Sequence, residues 1–121
     1  MKALNFSMFL NKLISGEKQQ KILKFKPDFR EDEIIWIKHK KRRLFEAKVI
    51  EIYHKRLKEI TQQEAQQDGF KSRRECIVTT MKFYDFENIR EYCFIVKFRQ
   101  INRKKNSDKR DLPLFKSIMD F

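Results

Sequence analysis

Residues 7–25 change from a helical to an extended pattern within a few positions, and this change limits the folds open to the chain. Ser7 is predicted to cap a helix and Gly16 to end it. The apolar residues between them recur at helical spacing, namely Met8, Phe9, Leu10, Leu13 and Ile14. From Gln20 to Phe25 the side chains alternate instead, which predicts a strand. Lys18 therefore lies between a helix end and a strand start, a fixed and partly open position for a cation.

The middle of the chain predicts a hairpin with an irregular second strand. Residues 33–38 form a short apolar run, typical of a strand buried on both faces. The basic run at 39–43 is predicted to be the hairpin tip, and residues 44–54 the second strand. In this strand the alternating apolar residues occupy odd-numbered positions up to Val49 and even-numbered positions from Ile50 onward. That switch predicts a bulge, which a small barrel needs in order to close.

Two capping boxes predict helices in the second half. Thr61 and Glu64 form the first, and this helix is expected to end at Gly69. A second box begins at Ser72 and opens a helix to about Tyr84. Residues 91–101 alternate clearly and predict a closing strand. Strands and helices in this order indicate one α+β domain.

Two motifs carry a resemblance to a known family. Gly16-Glu17-Lys18, after a helix and before a strand, resembles the G-x-K signature of the ASCH family. The helix that ends in Asp68-Gly69-Phe70 is similar to the family's helix with an acidic-Gly-Phe ending. Order and spacing agree from about Leu4 to Phe98. The resemblance implies a small PUA-like β-barrel of about five or six strands with two or three flanking helices.

The resemblance also divides the chain. It assigns residues 1–101 to the ASCH-like domain and leaves 102–121 as a charged linker followed by an apolar C-terminal segment. Residues 112–121 are predicted to dock on the barrel or on a partner, as a protein-binding peptide or through self-association. The sequence does not choose between these alternatives.

The resemblance further implies a cleft and raises the question of catalysis. In the family the lysine of the motif lines a cleft, a position that falls on Lys18. Some ASCH proteins resemble an amidohydrolase of N4-acetylcytidine, whose proposed lysine, threonine and carboxylate map onto Lys18, Lys21 and Asp68. A lysine therefore replaces the threonine, and Leu23 stands where the family has arginine. Without that hydroxyl and that arginine, we expect no such activity. Lys18 and Asp68 would be the catalytic residues if the protein were an enzyme.

The net charge of +12 favours an anionic partner, nucleic acid first. Lysine and arginine neutralise phosphates, and an aromatic side chain can stack on a base. Phe70, beside the helix end, is predicted to lie in the cleft or, equally, to make the hydrophobic contact that accompanies a glycine helix cap, whereas Trp36 is expected in the core. With Phe70, the residues predicted to contact nucleic acid are Lys18, Lys21, Lys24, Lys40, Lys41, Arg42, Arg43, Lys71, Arg73 and Arg74. The alternative for each cation is an ordinary solvated side chain.

The cysteines, the histidines and the distribution of apolar residues favour a cytoplasmic protein without a metal or a cofactor. Cys76 and Cys93 lack metal-binding spacing and are expected to be reduced thiols. His39 and His54 have no partner pattern, so neither metal nor cofactor is predicted. We find no signal peptide and no apolar run long enough for a membrane span. The sequence therefore predicts binding of RNA or single-stranded nucleic acid. The alternatives are a hydrolase of modified nucleosides, a ribonuclease, or a protein-interaction adaptor.

Overall fold

The computed structural model describes residues 1–101, so the predicted linker and C-terminal segment at 102–121 lie outside the described residues. Five strands and three helices occur within 1–101, together with a 3-10 turn at Leu57–Glu59. In chain order they are β1 (Ala3–Phe6), α1 (Leu10–Ser15), β2 (Gln20–Leu23), β3 (Ile34–His39), β4 (Arg42–Arg56), α2 (Gln62–Gln67), α3 (Arg73–Tyr84) and β5 (Tyr92–Gln100).

The five strands form one curled sheet in the order β1-β3-β4-β5-β2. β1 runs parallel to β3, and the other neighbouring strands are antiparallel. The sheet is a half-barrel whose two edges, β1 and β2, do not pair with each other. This confirms the predicted α+β class with a small barrel-like sheet. β1 was not predicted, and it supplies one wall of the cleft described below.

The bulge predicted from the parity switch is present. The register of β4 against β5 shifts between Val49 and Glu51, so Ile50 is the extra residue. The predicted hairpin tip is also confirmed. Lys40 and Lys41 adopt positive φ angles of 50° and 71°, as in the tight turns that join strands with a right-handed twist.

Two details of the sequence prediction are wrong. β3 is buried on one face only, since Ile35 and Ile37 are inside while Ile34 is 44% exposed. The helices α2 and α3 pack on β2, β4 and β5, and the apolar core between these helices and the sheet contains no residue of β3. The first helix begins at Leu10, and its N-cap is Phe9 in the left-handed region, not Ser7. β1 keeps the chain extended through Phe6, so residues 7–9 form the turn that the helix needs.

The capping boxes are confirmed in one case and half-formed in the other. Thr61 Oγ1 accepts a hydrogen bond from Glu64 N, and Glu64 Oε1 accepts one from Thr61 N, at 3.1 and 2.8 Å. At α3, Ser72 Oγ accepts from Glu75 N at 3.2 Å, but the carboxylate of Glu75 accepts from Lys71 N instead.

The apolar side chains form two cores, one on each side of the sheet. The first fills the half-barrel and contains residues of β1, β3, β4, β5 and α1, among them Phe6, Leu13, Ile37, Val49 and Phe98. The second lies between the sheet and the helices α2 and α3, and contains Ile22, Ala65, Cys76, Ile77 and Ile95. Both cysteines are buried with free thiols, and burial raises the pKa of each thiol to about 12.

Candidate functional site

The predicted cleft lies where the two unpaired edges of the half-barrel face each other. Phe6 ends β1 on one side, and Lys18 and Lys21 come from the start of β2 on the other. The helix α3 closes the cleft with Thr80, Phe83 and Tyr84, and the segment after α2 adds Asp68 and Phe70. Lys18, Lys21, Asp68 and Phe70, all predicted from sequence, are thus brought together.

Lys18 and Asp68 form a buried ion pair at the floor of the cleft. They are 4% and 5% exposed, and Lys18 Nζ lies 3.3 Å from Asp68 Oδ1. The same ammonium donates a hydrogen bond to the backbone carbonyl of Asp68. It also lies over the rings of Phe6 and Phe9, with 5.3 and 5.2 Å to the ring centroids. Lys18 is therefore fixed by packing as well as by charge.

Backbone contacts explain why the pair forms. Lys18 N donates to Lys12 O at 3.0 Å, and Gln19 N donates to Gln67 O at 3.1 Å, which joins the start of β2 to the end of α2. Asp68 is the C-cap residue of α2. Gly69 follows with a φ of 99°, and a Cβ there would lie 3.1 Å from the Phe9 ring. Only glycine fits this close approach without strain.

Lys21 occupies a cage of aromatic rings. Its Nζ lies 4.8 Å from the centroid of Phe6, 5.6 Å from that of Phe83 and 5.7 Å from that of Tyr84. These rings come from β1 and α3, which the sequence did not show to be close. Within residues 1–101, Lys21 forms no ion pair of its own. Among the described residues, the groups that favour its charge are the rings and the more distant Asp68.

Burial makes this charge cluster costly. Desolvation lowers the pKa of Lys18, against the opposing effect of Asp68. Desolvation and the neighbouring charge of Lys18 lower the pKa of Lys21 to about 8. Burial also raises the pKa of Asp68 to about 6, although the two lysines act to lower it. Each of the three groups is thus shifted toward its neutral form, a pattern typical of functional sites.

Two buried oxygen atoms at the floor of the cleft accept no hydrogen bond from the described residues. Gln20 Nε2 donates to Glu64 O at 3.0 Å, but Gln20 Oε1 accepts no hydrogen bond from any described residue. Asp68 Oδ1 is buried in the same way, and its contact with Lys18 lacks hydrogen-bond geometry. Buried unsatisfied acceptors are uncommon in native proteins. They leave places where a ligand or water can donate a hydrogen bond.

The cavity is narrow in this structure, with a volume of about 30 Å³. That is enough for ordered water at a polar site but not for a nucleobase. Phe83 is 52% exposed at the rim and packs edge-on against Tyr84, with 4.8 Å between ring centroids. A nucleobase would fit only if Phe83 and Lys21, which line the cleft, moved apart.

Several residues predicted to contact nucleic acid have structural partners. Phe70 is buried and packs edge-on against Phe9, with 5.1 Å between ring centroids, so it is a wall and not an open stacking surface. Arg73 donates from Nε to Ile60 O at 2.6 Å and from Nη2 to Lys58 O, which ties α3 to the chain before α2. Lys24 Nζ donates to Asp85 O at 2.9 Å.

The basic hairpin adjoins the cleft. Lys40 N donates to Phe6 O at 2.8 Å, and the ring of that phenylalanine contacts both cleft lysines. Lys40, Lys41, Arg42 and Arg43 are exposed, and the Arg43 guanidinium lies 4.9 Å from the centroid of the Trp36 ring. Lys71 and Arg74, which follow Phe70 in the chain, are also exposed.

Sequence reasoning missed Phe6, Phe83 and Thr80 as parts of the cleft. Thr80 and Tyr84 are four residues apart on α3 and share one side of the helix. That spacing was visible, but nothing local showed that this side faces β2.

Within residues 1–101, no group of three or more His, Cys, Asp and Glu side chains is placed to hold a metal ion. None of the helices there has the length and apolar character that a membrane span requires.

Comparison with known proteins identifies the architecture. No family model and no curated protein matches the sequence. A DUF984 family protein from Enterococcus faecalis V583 has a TM-score of 0.66 at 12% identity, over 76% of this chain and 66% of that chain.

Two ASCH structures are similar as well. The ASCH domain from Lactobacillus crispatus JV V101 has a TM-score of 0.66 at 9% identity, over 82% of this chain and 79% of that chain. The ASCH protein of Zymomonas mobilis has a TM-score of 0.56 at 16% identity, over 91% of this chain and 80% of that chain. The chain therefore has the α+β fold of ASCH domain structures, as its two motifs predicted.

Proposed function

We propose that the protein binds RNA or single-stranded nucleic acid without catalysis, with phosphate and base contacts at the cleft and further phosphate contacts along the basic hairpin. The observation that carries this proposal is the cluster of two lysines and one carboxylate at the cleft. Lys21 has no ion-pair partner among residues 1–101, and a phosphate would supply the missing anion.

Two further features support this function. The net charge of +12 raises the local concentration of any polyanion and accelerates its association. The unsatisfied acceptors of Gln20 and Asp68 at the cleft floor can accept hydrogen bonds from amino or imino groups of a base. Phosphate contacts would supply affinity, and the cleft would supply any preference among bases.

Titration of a labelled single-stranded RNA at three salt concentrations tests the proposal. If about six phosphates are engaged, log K should fall against log salt with a slope of about −4 to −5. An affinity that does not depend on salt would contradict it. Lys40→Ala with Arg43→Ala should weaken binding equally for RNAs of different sequence, because these cations contact phosphate.

A matched control for the hairpin variant is Arg30→Ala with Lys48→Ala. It removes the same charge at the opposite end of the β3–β4 ribbon, where Ile34 pairs with Lys48. Binding should change less in this control. An equal loss in both double variants would mean that overall charge, and not the hairpin, determines affinity.

A hydrolase acting on modified nucleosides is the second candidate, favoured by one observation. Lys18 is buried against Asp68 with a lowered pKa, as a reactive amine requires. Lys21 replaces the hydroxyl that the resemblance assigns to this reaction. Incubation of acetylated cytidine with wild type, Lys18→Ala, Lys21→Thr and Lys21→Thr with Leu23→Arg, followed by chromatography, distinguishes the two functions. Turnover by wild type that is lost in Lys18→Ala would favour the enzyme.

A further inference from the structure

A second group of aromatic side chains lies outside the cleft, on the exposed ends of β4 and β5. The His54 ring lies 5.5 Å from Tyr92 and 5.9 Å from Phe94, measured between ring centroids. The guanidinium of Arg56 lies 5.4 Å from the centroid of the Tyr92 ring. His54, Arg56 and Tyr92 are exposed, and Phe94 is half-buried. We call these four residues the aromatic platform.

The strand register places the platform on the same face of the sheet as Lys21. Lys21 pairs with Val96, and two residues along Leu23 pairs with Phe94. On the other side of β5, Phe94 pairs with His54, and Tyr92 pairs with Arg56. Paired and alternate residues of a sheet share a face. The platform therefore begins about 7 Å from Lys21 along the strands and ends about 13 Å away, at about 3.3 Å per residue.

Among residues 1–101, no further strand or helix covers this end of the sheet on that face. β3 pairs with β4 only as far as Lys48, so the later part of β4 is paired with β5 alone. The helices cover the opposite face, where Tyr53, Cys93 and Ile95 pack into the second core. Tyr92 consequently remains 52% exposed. None of the four platform side chains belongs to either apolar core of residues 1–101.

We infer that the aromatic platform stacks two or three bases of a single-stranded RNA whose next nucleotide occupies the cleft. This inference rests on the proposed function and extends it from one nucleotide to a short run. Aromatic side chains on an open sheet face stack bases in this way, and an arginine plane adds to the stack. Stacking tolerates any base, so the platform would add affinity without much sequence preference.

Charge favours RNA over a second copy of this protein as the occupant. Two chains that each carry +12 repel one another, whereas a polyanion is attracted to the same surface. Arg56 lies beside the ring of Tyr92 and is available for an adjacent phosphate. The platform and Lys21 thus share one face of the sheet, with rings for bases and cations for the backbone.

The test uses the full chain with two probes: a fluorescent 12-nucleotide polyuridine and uridine monophosphate, which is too short to occupy the cleft and the platform together. Tyr92→Ala with His54→Ala should weaken binding of the 12-mer about ten-fold or more, within the range of one or two lost stacks. Binding of the mononucleotide should not change. Tyr92→Phe keeps the ring and should bind as wild type does. Val78→Ala, an exposed change on α3, is the control for folding and surface effects.

Photocrosslinking gives a second readout that does not depend on variant stability. A 12-mer with 5-iodouridine should crosslink to the peptides that contain His54, Tyr92 and Phe94. If the 12-mer binds through Lys21 but the platform variants bind equally well and crosslinks lie elsewhere, the inference is wrong and the proposed function stands. If wild type binds no RNA, both are wrong. A wild-type dimer in sedimentation velocity that Tyr92→Ala dissociates would assign the platform to self-association and overturn the inference.

Discussion

The helix α2 carries two buried carboxylates at opposite ends, and their surroundings differ in almost every respect. Glu64, in the first turn, accepts hydrogen bonds from Lys55 Nζ and Thr61 N, both at 2.8 Å, and from the Tyr53 hydroxyl. Asp68, at the C-terminal cap, has a 3.3 Å ion pair with Lys18, and its Oδ1 accepts no hydrogen bond from the described residues. The same short helix thus holds one carboxylate with several hydrogen-bond donors and one with a buried oxygen that accepts no hydrogen bond from the described residues.

The helix dipole and the local charges explain the contrast. An anion is stabilised at a helix N-terminus and destabilised at the C-terminus. Burial acts to raise the pKa of Glu64, but the hydrogen bonds from Lys55 and Tyr53 lower it below its ordinary value. For Asp68, burial dominates and raises the pKa to about 6. Glu64 therefore stabilises the fold, whereas the ionised form of Asp68 costs stability.

Replacing Glu64 should have the largest effect on stability. Glu64→Ala leaves Lys55 without its partner and removes the cap of Thr61, so we expect a loss of about 3 kcal/mol in the free energy of unfolding. Urea denaturation measures this loss. Glu64→Gln keeps an acceptor for the cap and should lose about half as much. A loss under about 1 kcal/mol for Glu64→Ala would show that this network contributes little, and the contrast with Asp68 would disappear.

The titration of Asp68 should have the next largest effect. Between pH 3.8 and about 6 the carboxyl is ionised in the unfolded chain but protonated in the folded one. The folded state then binds more protons, so this group's contribution to stability falls as the pH rises. At about 1.4 kcal/mol per pH unit, the total is about 3 kcal/mol.

Two measurements check this behaviour. Carbon-13 NMR of the aspartate carboxyls should show one that titrates near pH 6 and is absent from Asp68→Asn. The free energy of unfolding of Asp68→Asn should improve relative to wild type between about pH 4 and pH 7. A carboxyl that titrates at its ordinary pKa would mean that Asp68 is well solvated and that the two ends of α2 do not differ.

Lys21→Met should have the smallest effect, and its sign should be opposite to that of Glu64→Ala. Because the folded pKa of Lys21 is lowered to about 8, its charge costs stability at neutral pH. Methionine keeps the packing against the rings. The lowered pKa corresponds to a cost of about 3 kcal/mol for the charge, but the variant also loses the cation–π attraction to the three rings, so we expect a net gain of about 1–2 kcal/mol. RNA affinity should fall about ten-fold, the range for a charged hydrogen bond.

The control for this variant is Lys82→Met, which changes an exposed lysine of α3. It should alter stability by less than about 0.5 kcal/mol and leave RNA affinity unchanged. A destabilised Lys21→Met protein would indicate that the aromatic cage stabilises the fold by binding the ammonium, and that the lysine is structural.

The sequence predicted those parts of the site that two short motifs specify. Lys18 follows the glycine that ends α1, and Asp68 precedes the glycine that ends α2, so both were predicted as site residues. Phe6 and Phe83 were missed because nothing in the sequence distinguishes an aromatic residue that lines a cleft from one that packs in the core or lies exposed on the surface. β1 itself was missed because four residues give a weak pattern and its partner β3 is distant in the chain.

Local interactions determined what the sequence alone could show: the capping box at Thr61, the turn at Lys40 and Lys41, and the bulge after Val49. Each depends on residues close together in the chain. Only the tertiary structure decided that Lys21 enters a cage formed by β1 and α3, and that Asp68 is buried enough to hold its proton to about pH 6. Desolvation depends on every atom packed around a group, and those atoms come from segments that no local pattern connects.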